Sequence, residues 1–305
     1  MLPSSRPFPA RPRPSRPLSR RPLSRRRASL ALSASAAVLL ASASPLAQTD
    51  APAFPEPLPP GALEATYEVY SGGFQALTLQ LRYDGAVGER YDARFHARSD
   101  GFLANFFTFR MDSEAEGRRT EEGLAPLSFR TEARWQDNDP RSVALSYGPD
   151  GAVSAEVVPP PEEDERSSVP EEARRGTLDP ISAVVHIMEA STEAGICNGE
   201  ARIFDGRRRL DVQALSLGST VLEERSYAAY AGPAQVCRIN LEPVTGFWEG
   251  EERRERYPAE VRVFLAEVAE GRPALPVRIE MDIVAQGAVR AHLTDLQIGR
   301  QAAEH

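Results

Sequence analysis

Leu77-Thr78-Leu79-Gln80-Leu81-Arg82-Tyr83-Asp84-Gly85 is the stretch that decides the fold class. Apolar and polar side chains alternate strictly and the run stops at Asp-Gly. A period of two puts one set of side chains on each face of an extended strand. Asp-Gly accepts the positive φ that a tight hairpin turn demands. Working outward, the same reading holds for Tyr67 and Val69 upstream, and for Tyr91, Ala93, Phe95 and Ala97 downstream. It returns at Val261, Val263 and Leu265, at Val277, Ile279, Met281 and Ile283, and at Val289, Ala291 and Leu293. Further turn signals are Asp100-Gly101, Asp150-Gly151, Asp205-Gly206 and Asn198-Gly199. The pattern predicts a mainly β protein: an antiparallel barrel-like or β-spiral half-barrel of mostly up-and-down neighbours, with one face buried.

Two stretches break the alternation. Residues 159–176 form an acidic, Pro-led loop with nothing to bury, which divides the body into halves 61–158 and 177–300 of a single domain spanning 61–300. After it, Asp179-Pro180 reads as an N-cap followed by proline at the first helical position. Ile181, Val184, Val185 and Met188 then repeat at helical spacing, which predicts one helix over 179–192 with its apolar face against the concave side of the sheet. Residues 102–109, Phe-Leu-Ala-Asn-Phe-Phe-Thr-Phe, are the most aromatic stretch and are expected to form a helical turn entering a strand.

The 305 residues carry 44 acidic against 36 basic side chains, and every basic one is Arg. Nine of those Arg and no acid fall in 1–47, so 48–305 carries 27 Arg against 44 acids, a formal −17. A body this acidic lacks the basic footprint of a nucleic-acid binder. Without Lys there is no Schiff-base chemistry, no P-loop lysine and no Ser-x-x-Lys catalysis. Residues 1–47 read as a signal peptide: a basic start ending at Arg25-Arg26-Arg27, an Ala/Leu/Ser segment from Ala28, and cleavage after about Ala43 or Ala47. That segment is too short and too rich in Ser to anchor the chain, and no later run could span a bilayer. The expected location is the periplasm. Residues 48–60, with Pro52, Pro55, Pro57, Pro59 and Pro60, read as a Pro-rich extended tether. In an oxidising compartment Cys197 and Cys237, the only cysteines, are expected to pair. The closed loop would contribute roughly 4 kcal/mol in the chain-entropy model.

The order of motifs in the second half is an Asp179-Pro180-Ile181-Ser182-Ala183 helix start, Cys197, the Ile203-Phe204-Asp205-Gly206-Arg207-Arg208 hairpin, Cys237, and Pro243-Val244-Thr245-Gly246-Phe247. With the opening Tyr67-Glu68-Val69-Tyr70 and Gly72-Gly73, this resembles the DUF3108 family of exported bacterial proteins over about residues 61–300. The resemblance implies an envelope setting and an all-β, barrel-like fold, and it implies no catalytic residue set. A more distant likeness, in fold alone, is to lipoprotein-carrier half-barrels that cup a lipid.

The sequence holds no Gly-x-Ser-x-Gly elbow, no His-Glu-x-x-His and no glycine-rich phosphate loop. His96, His186, His292 and His305 show no metal-ligand spacing, so neither a metal nor a cofactor is expected. Arg207, Arg208 and Arg209 are candidates for docking anionic groups such as lipid phosphates. The competing reading pairs them with Asp205, Asp211 or neighbouring Glu residues. Phe102, Phe106, Phe107 and Phe109 are candidates for lining a lipid-accommodating concavity, against a role in the core. The function expected is a non-enzymatic envelope protein that binds a hydrophobic, lipid-like ligand or an envelope partner. The alternatives are a ligand-free interaction scaffold with a filled interior and, third, a carbohydrate-active hydrolase with two convergent carboxylates.

Overall fold

The computed structural model describes residues 53–85, 90–121, 123–136, 138–160, 168–247, 260–283 and 287–299. The export segment expected over 1–47 and the centre of the acidic loop, 161–167, lie outside the described residues.

Thirteen strands follow in chain order: β1 (Leu63–Ser71), β2 (Phe74–Asp84), β3 (Arg90–Ser99), β4 (Phe109–Thr120), β5 (Gly123–Trp135), β6 (Arg141–Tyr147), β7 (Val153–Val158), β8 (Asn198–Phe204), β9 (Arg209–Leu222), β10 (Gly232–Thr245), β11 (Val261–Ala266), β12 (Leu275–Ile283) and β13 (Gly287–Ile298). They form one sheet in the order β7-β6-β5-β4-β3-β2-β1-β13-β12-β11-β10-β9-β8. Every described pairing between strands is antiparallel, and β1 lies between β2 and β13, so the two sequence halves meet in the middle of one sheet. The fold is mainly β, as the alternation predicts. The strand that decided the class, β2, pairs Leu79 with Tyr67 on one side and with Ala97 on the other, so three alternating runs share a face.

Helix α2 spans Pro180–Ala194. Asp179 caps it, accepting from the backbone N–H of Ile181 at 3.0 Å and of Ser182 at 2.9 Å, and Gly195 ends it in the left-handed conformation. Val185 and Met188 pack with Leu63, Tyr83, Tyr91, Ala93 and Leu275, drawn from β1, β2, β3 and β12, so the helix fills the concave side. Val184 differs from expectation: it is 46% exposed. The buried stripe runs instead through Ser182, Ala183, Val185, Met188 and Ser191, because small residues bring the helix axis closer to the strands. Further along the sheet, Val69, Val289 and Ala291 pack with Leu77, Ile279, Met281 and Ile283.

The two edges of the sheet, β7 and β8, do not share a ladder, yet they meet through side chains. Phe204 of β8 packs with Phe129 of β5, Val143 and Leu145 of β6, and Val153 of β7. The turn Asp205-Gly206 is pressed against β6: Gly206 has φ +90°, and a Cβ there would stand 2.3 Å from a methyl of Val143. Arg207 donates from Nη2 to the Val158 carbonyl on β7 at 2.8 Å. Leu178 bridges to Ile203 on the outer edge of β8, and Gly176 N–H donates to the Gly151 carbonyl at the β6–β7 turn. The seam is therefore closed by 168–178, which corrects the expectation that all of 159–176 has nothing to bury. Val169 enters the core, a short helix α1 occupies Glu171–Arg174, and the Arg174 guanidinium lies 5.4 Å from the Phe204 ring.

Two other expectations are modified. Asn198-Gly199 does not turn the chain; it opens β8. A Cβ on Gly199 would lie 3.3 Å from Ile187, so glycine serves the close approach of helix and strand. The described part of the Pro-rich stretch does not hang free: Arg82 donates to the Glu56 carbonyl at 3.0 Å and stands 4.8 Å from the Phe54 ring. Cys197 and Cys237 are joined, with Cα atoms 5.6 Å apart, tying the exit of α2 to β10.

Candidate functional site

The four phenylalanines of 102–109 stand where β3 passes to β4. Phe102–Asn105 form a single 3-10 turn, too short to bury anything, and the chain then enters β4 at Phe109. Phe102 stacks on Phe74, at the start of β2, with ring centres 5.5 Å apart, and meets Phe106 edge-on at 5.2 Å. Phe107 lies parallel to Trp135, at the end of β5, at 5.3 Å, and Phe109 tilts against the same indole at 5.5 Å. This end of the sheet thus gathers six aromatic rings, yet Phe74 is 55%, Phe102 56%, Phe106 67% and Trp135 51% exposed. These ring contacts contribute about 1 kcal/mol per pair and leave much of the apolar area in water. Trp135 and Phe74 carried no signal in the sequence, since their partners come from other strands. Next to the Phe109–Trp135 pair the register sets Arg98, Arg110 and Arg134 directly opposite one another on β3, β4 and β5. Asp100 pairs with Arg98 at 3.0 Å and Asp112 with Arg110 at 2.9 Å.

The arginine triplet lies in the β8–β9 turn and at the start of β9. Arg208 pairs with Asp205 at 2.8 Å, within its own turn. Arg209 is buried, pairs with Asp211 at 2.6 Å and donates to the Ala173 carbonyl at 3.1 Å. With Arg207 bonded to Val158, the three guanidinium groups hold the seam together and do not converge on one open patch.

Side chains of α2 pack on β1, β2, β3 and β12, and a cleft of about 740 Å³ beside them has a largely polar lining. It opens beside the seam and is lined by Leu124, His186, Glu200, Arg202, Asp211 and Glu242, among others. Glu200 accepts from Gln213 Nε2 at 2.7 Å and Asp211 is taken by Arg209, so two of its three carboxylates are already engaged. Carboxyl groups that are pushed up lie elsewhere. Asp179 is raised to about 6 by burial, against the opposing hydrogen bonds of Ser182 and the helix N-terminus. It is fully enclosed, its Oδ2 accepting from Ser182 Oγ at 2.5 Å. Asp92 is raised by burial first and then by Glu116, although Arg94 opposes this. Neither stands in the polar cleft.

Beneath α2 lies a part-buried polar network. Glu189 accepts from Tyr83 at 2.6 Å and from Arg119 Nε at 3.0 Å, and Tyr91 shares a 2.8 Å hydrogen bond with Ser182. Burial pushes the Tyr83 and Tyr91 hydroxyls upward. His96 lies buried on the outer face with Nδ1 2.7 Å from Asp112, and His292 sits between Tyr70 and Tyr227. Among the described residues no group of three or more potential metal ligands is gathered, and no helix is long and apolar enough to cross a membrane.

No curated protein matches the chain. Among solved structures it is similar to a beta-barrel-like protein of domain of unknown function DUF1849 from Brucella abortus, with 13% identity and a TM-score of 0.47 over 78% of this chain and 98% of that one. The model of the family described as a protein of unknown function, DUF3108, matches residues 66–294. That span runs from β1 to β13 and includes the capped helix, both cysteines and the Asp-Gly-Arg-Arg hairpin, so this chain belongs to the DUF3108 family.

Proposed function

We propose that this is an exported, non-enzymatic protein of the periplasm that engages a hydrophobic, lipid-like component of the envelope through its aromatic end. The observation that carries the reading is the group Phe74, Phe102, Phe106 and Trp135, four large aromatic side chains each more than half exposed at one end of the sheet. Aromatic rings are favoured at the boundary between lipid and water, where an apolar body meets a wet surface. The packing of α2 on β1, β2, β3 and β12 turns the reading away from a lipid carried inside the barrel and toward contact at the rim. The same exposed rings favour a second reading, a scaffold whose aromatic end docks another protein.

Partition of the purified protein into neutral phosphatidylcholine vesicles separates the two. The expected result is measurable partition, reduced at least tenfold in a Phe102→Ser, Phe106→Ser variant of unchanged melting temperature, since two exposed Phe lose their burial in the interface. Native mass spectrometry of protein taken from the periplasm is expected to show a co-purifying lipid. No partition together with no bound lipid would favour the scaffold.

A further inference from the structure

The polar cleft of about 740 Å³ shares no lining residue with the aromatic end. One of its walls is a face of β8, β9 and β10, where the register sets two rows of side chains across the strands. One row is Glu200, Gln213 and Asn240, and the next is Arg202, Asp211 and Glu242. Directly opposed residues in such rows stand roughly 5 Å apart at Cβ, so carboxylate, amide and guanidinium groups form a close grid. Leu124 of β5, His186 of α2 and Leu178 contribute to the rest of the lining, and no Phe, Tyr or Trp does.

The protein uses this grid only in part. Glu200 accepts from Gln213, and Asp211 pairs with Arg209. Among the described residues, the side chains of Arg202, Asn240, Glu242 and His186 meet no hydrogen-bond or ion-pair partner. The backbone adds to them. On β8 the even-numbered residues turn N–H and C=O to the outer edge. Leu178 N–H donates to the Arg202 carbonyl at 2.8 Å, and Phe204 N–H donates to the Leu178 carbonyl at 2.9 Å. At the other end Asn198 N–H donates to Ser191 Oγ at 3.1 Å, and that hydroxyl donates to the Asn198 carbonyl at 2.9 Å. Between these two fastenings, Glu200 N–H, Glu200 C=O and Arg202 N–H have no partner among the described residues, and both residues line the cleft.

Unengaged donors and acceptors are therefore interleaved: a guanidinium, an amide NH₂ and two backbone N–H groups stand among a carboxylate, an amide oxygen and a backbone carbonyl. A ligand of one charge would meet an opposing group beside every favourable one. Hydroxyl groups both donate and accept, so a compact polyhydroxyl compound answers both kinds at once. Leu124, Leu178 and Val212 offer apolar contact to the C–H faces of a sugar ring, and the volume is that of a small-ligand site. We infer that this cleft binds a short neutral oligosaccharide through Arg202, Asn240 and Glu242. Sugar binding here and lipid contact at the aromatic rim use different residues, so either can fail alone.

The test is saturation-transfer NMR and calorimetric titration of the full mature protein with diacetylchitobiose, maltose and cellobiose. Binding of at least one of them at millimolar concentration or below is expected. Arg202→Gln and Glu242→Gln should each weaken it about tenfold, the order expected for loss of a hydrogen bond to a charged group. Asn240→Ala should act in the same direction, and Glu114→Gln on β4 should not. Glu242→Gln keeps the size of the side chain, so weaker binding at an unchanged melting temperature is not a loss of fold. No binding of any of the three sugars would overturn the assignment. So would equal affinity in the wild type and the three cleft variants, or tighter binding of spermidine or inorganic phosphate than of any sugar.

Discussion

Asp179 closes the N-terminus of α2 with two backbone hydrogen bonds, and the burial that makes the cap effective also makes its charge costly. Its carboxyl titrates near 6 in the folded protein and near 3.9 in an unfolded chain. The folded state therefore holds the proton more tightly. This group's contribution to stability is fully present below about pH 4 and is lost as pH rises through 6, a change of about 3 kcal/mol at most. In Asp179→Asn, which keeps a capping oxygen without the charge, that dependence is expected to vanish. Urea unfolding at pH 4.5 and pH 7.5 checks it: the wild type should lose stability relative to the variant on going to the higher pH. A constant difference would show that the charge is compensated. Gly206 is a second residue whose identity has one physical reason. With positive φ and Val143 against the missing Cβ, Gly206→Ala is expected to cost about 3 kcal/mol, read as a lower urea midpoint.

At the scale of elements, the question is how thirteen strands close without a final ladder. β8 carries Phe204 into the side chains of β5, β6 and β7, and 168–178 lies along the seam. Phe204→Ala should cost about 3–5 kcal/mol, as truncation of a buried aromatic does, and should raise amide exchange in β7 and β8 before it does in β1 and β13. Uniform exchange across the sheet would contradict a seam held by packing. The disulfide works on the other side of β8, fixing Cys197 at the exit of α2 to β10. Reduction, or Cys197→Ser with Cys237→Ser, is expected to remove about 4 kcal/mol, measured by urea unfolding with and without reductant. The short connection between cap, helix and disulfide explains why Asp179, Cys197 and Phe204 fall within one stretch of sequence.

At the scale of the whole molecule, location is a prediction of the chain's two unlike parts. Nine Arg and no acid occupy 1–47, against the acidic remainder. N-terminal sequencing of protein from the periplasmic fraction is expected to begin at Ser44 or Gln48; a chain still starting at Met1 and retained in the cytoplasm would refute export. The aromatic rim belongs to this scale too, since it is assembled from β2, β4, β5 and the β3–β4 connection.

Period-two alternation, the Asp-Gly turns, the Asp179-Pro180 helix start and the cysteine pair were all legible along the chain, because each rests on neighbours a few residues apart or on a count. So was family membership, carried by motif order. The triplet Arg207-Arg208-Arg209 was legible only as a charge cluster: whether guanidinium groups face solvent or hold a seam depends on Val158, Asp211 and Ala173, which folding brings near. The aromatic stretch 102–109 likewise declared its composition but not its exposure, which is set where β3 passes to β4 at the end of the sheet. Local period and turn chemistry thus determine that this chain makes antiparallel strands and one capped helix. Register, rolling and the meeting of β7 with β8 are set by packing between residues that can stand more than two hundred positions apart, and only the tertiary structure decides which polar and aromatic groups remain available to bind.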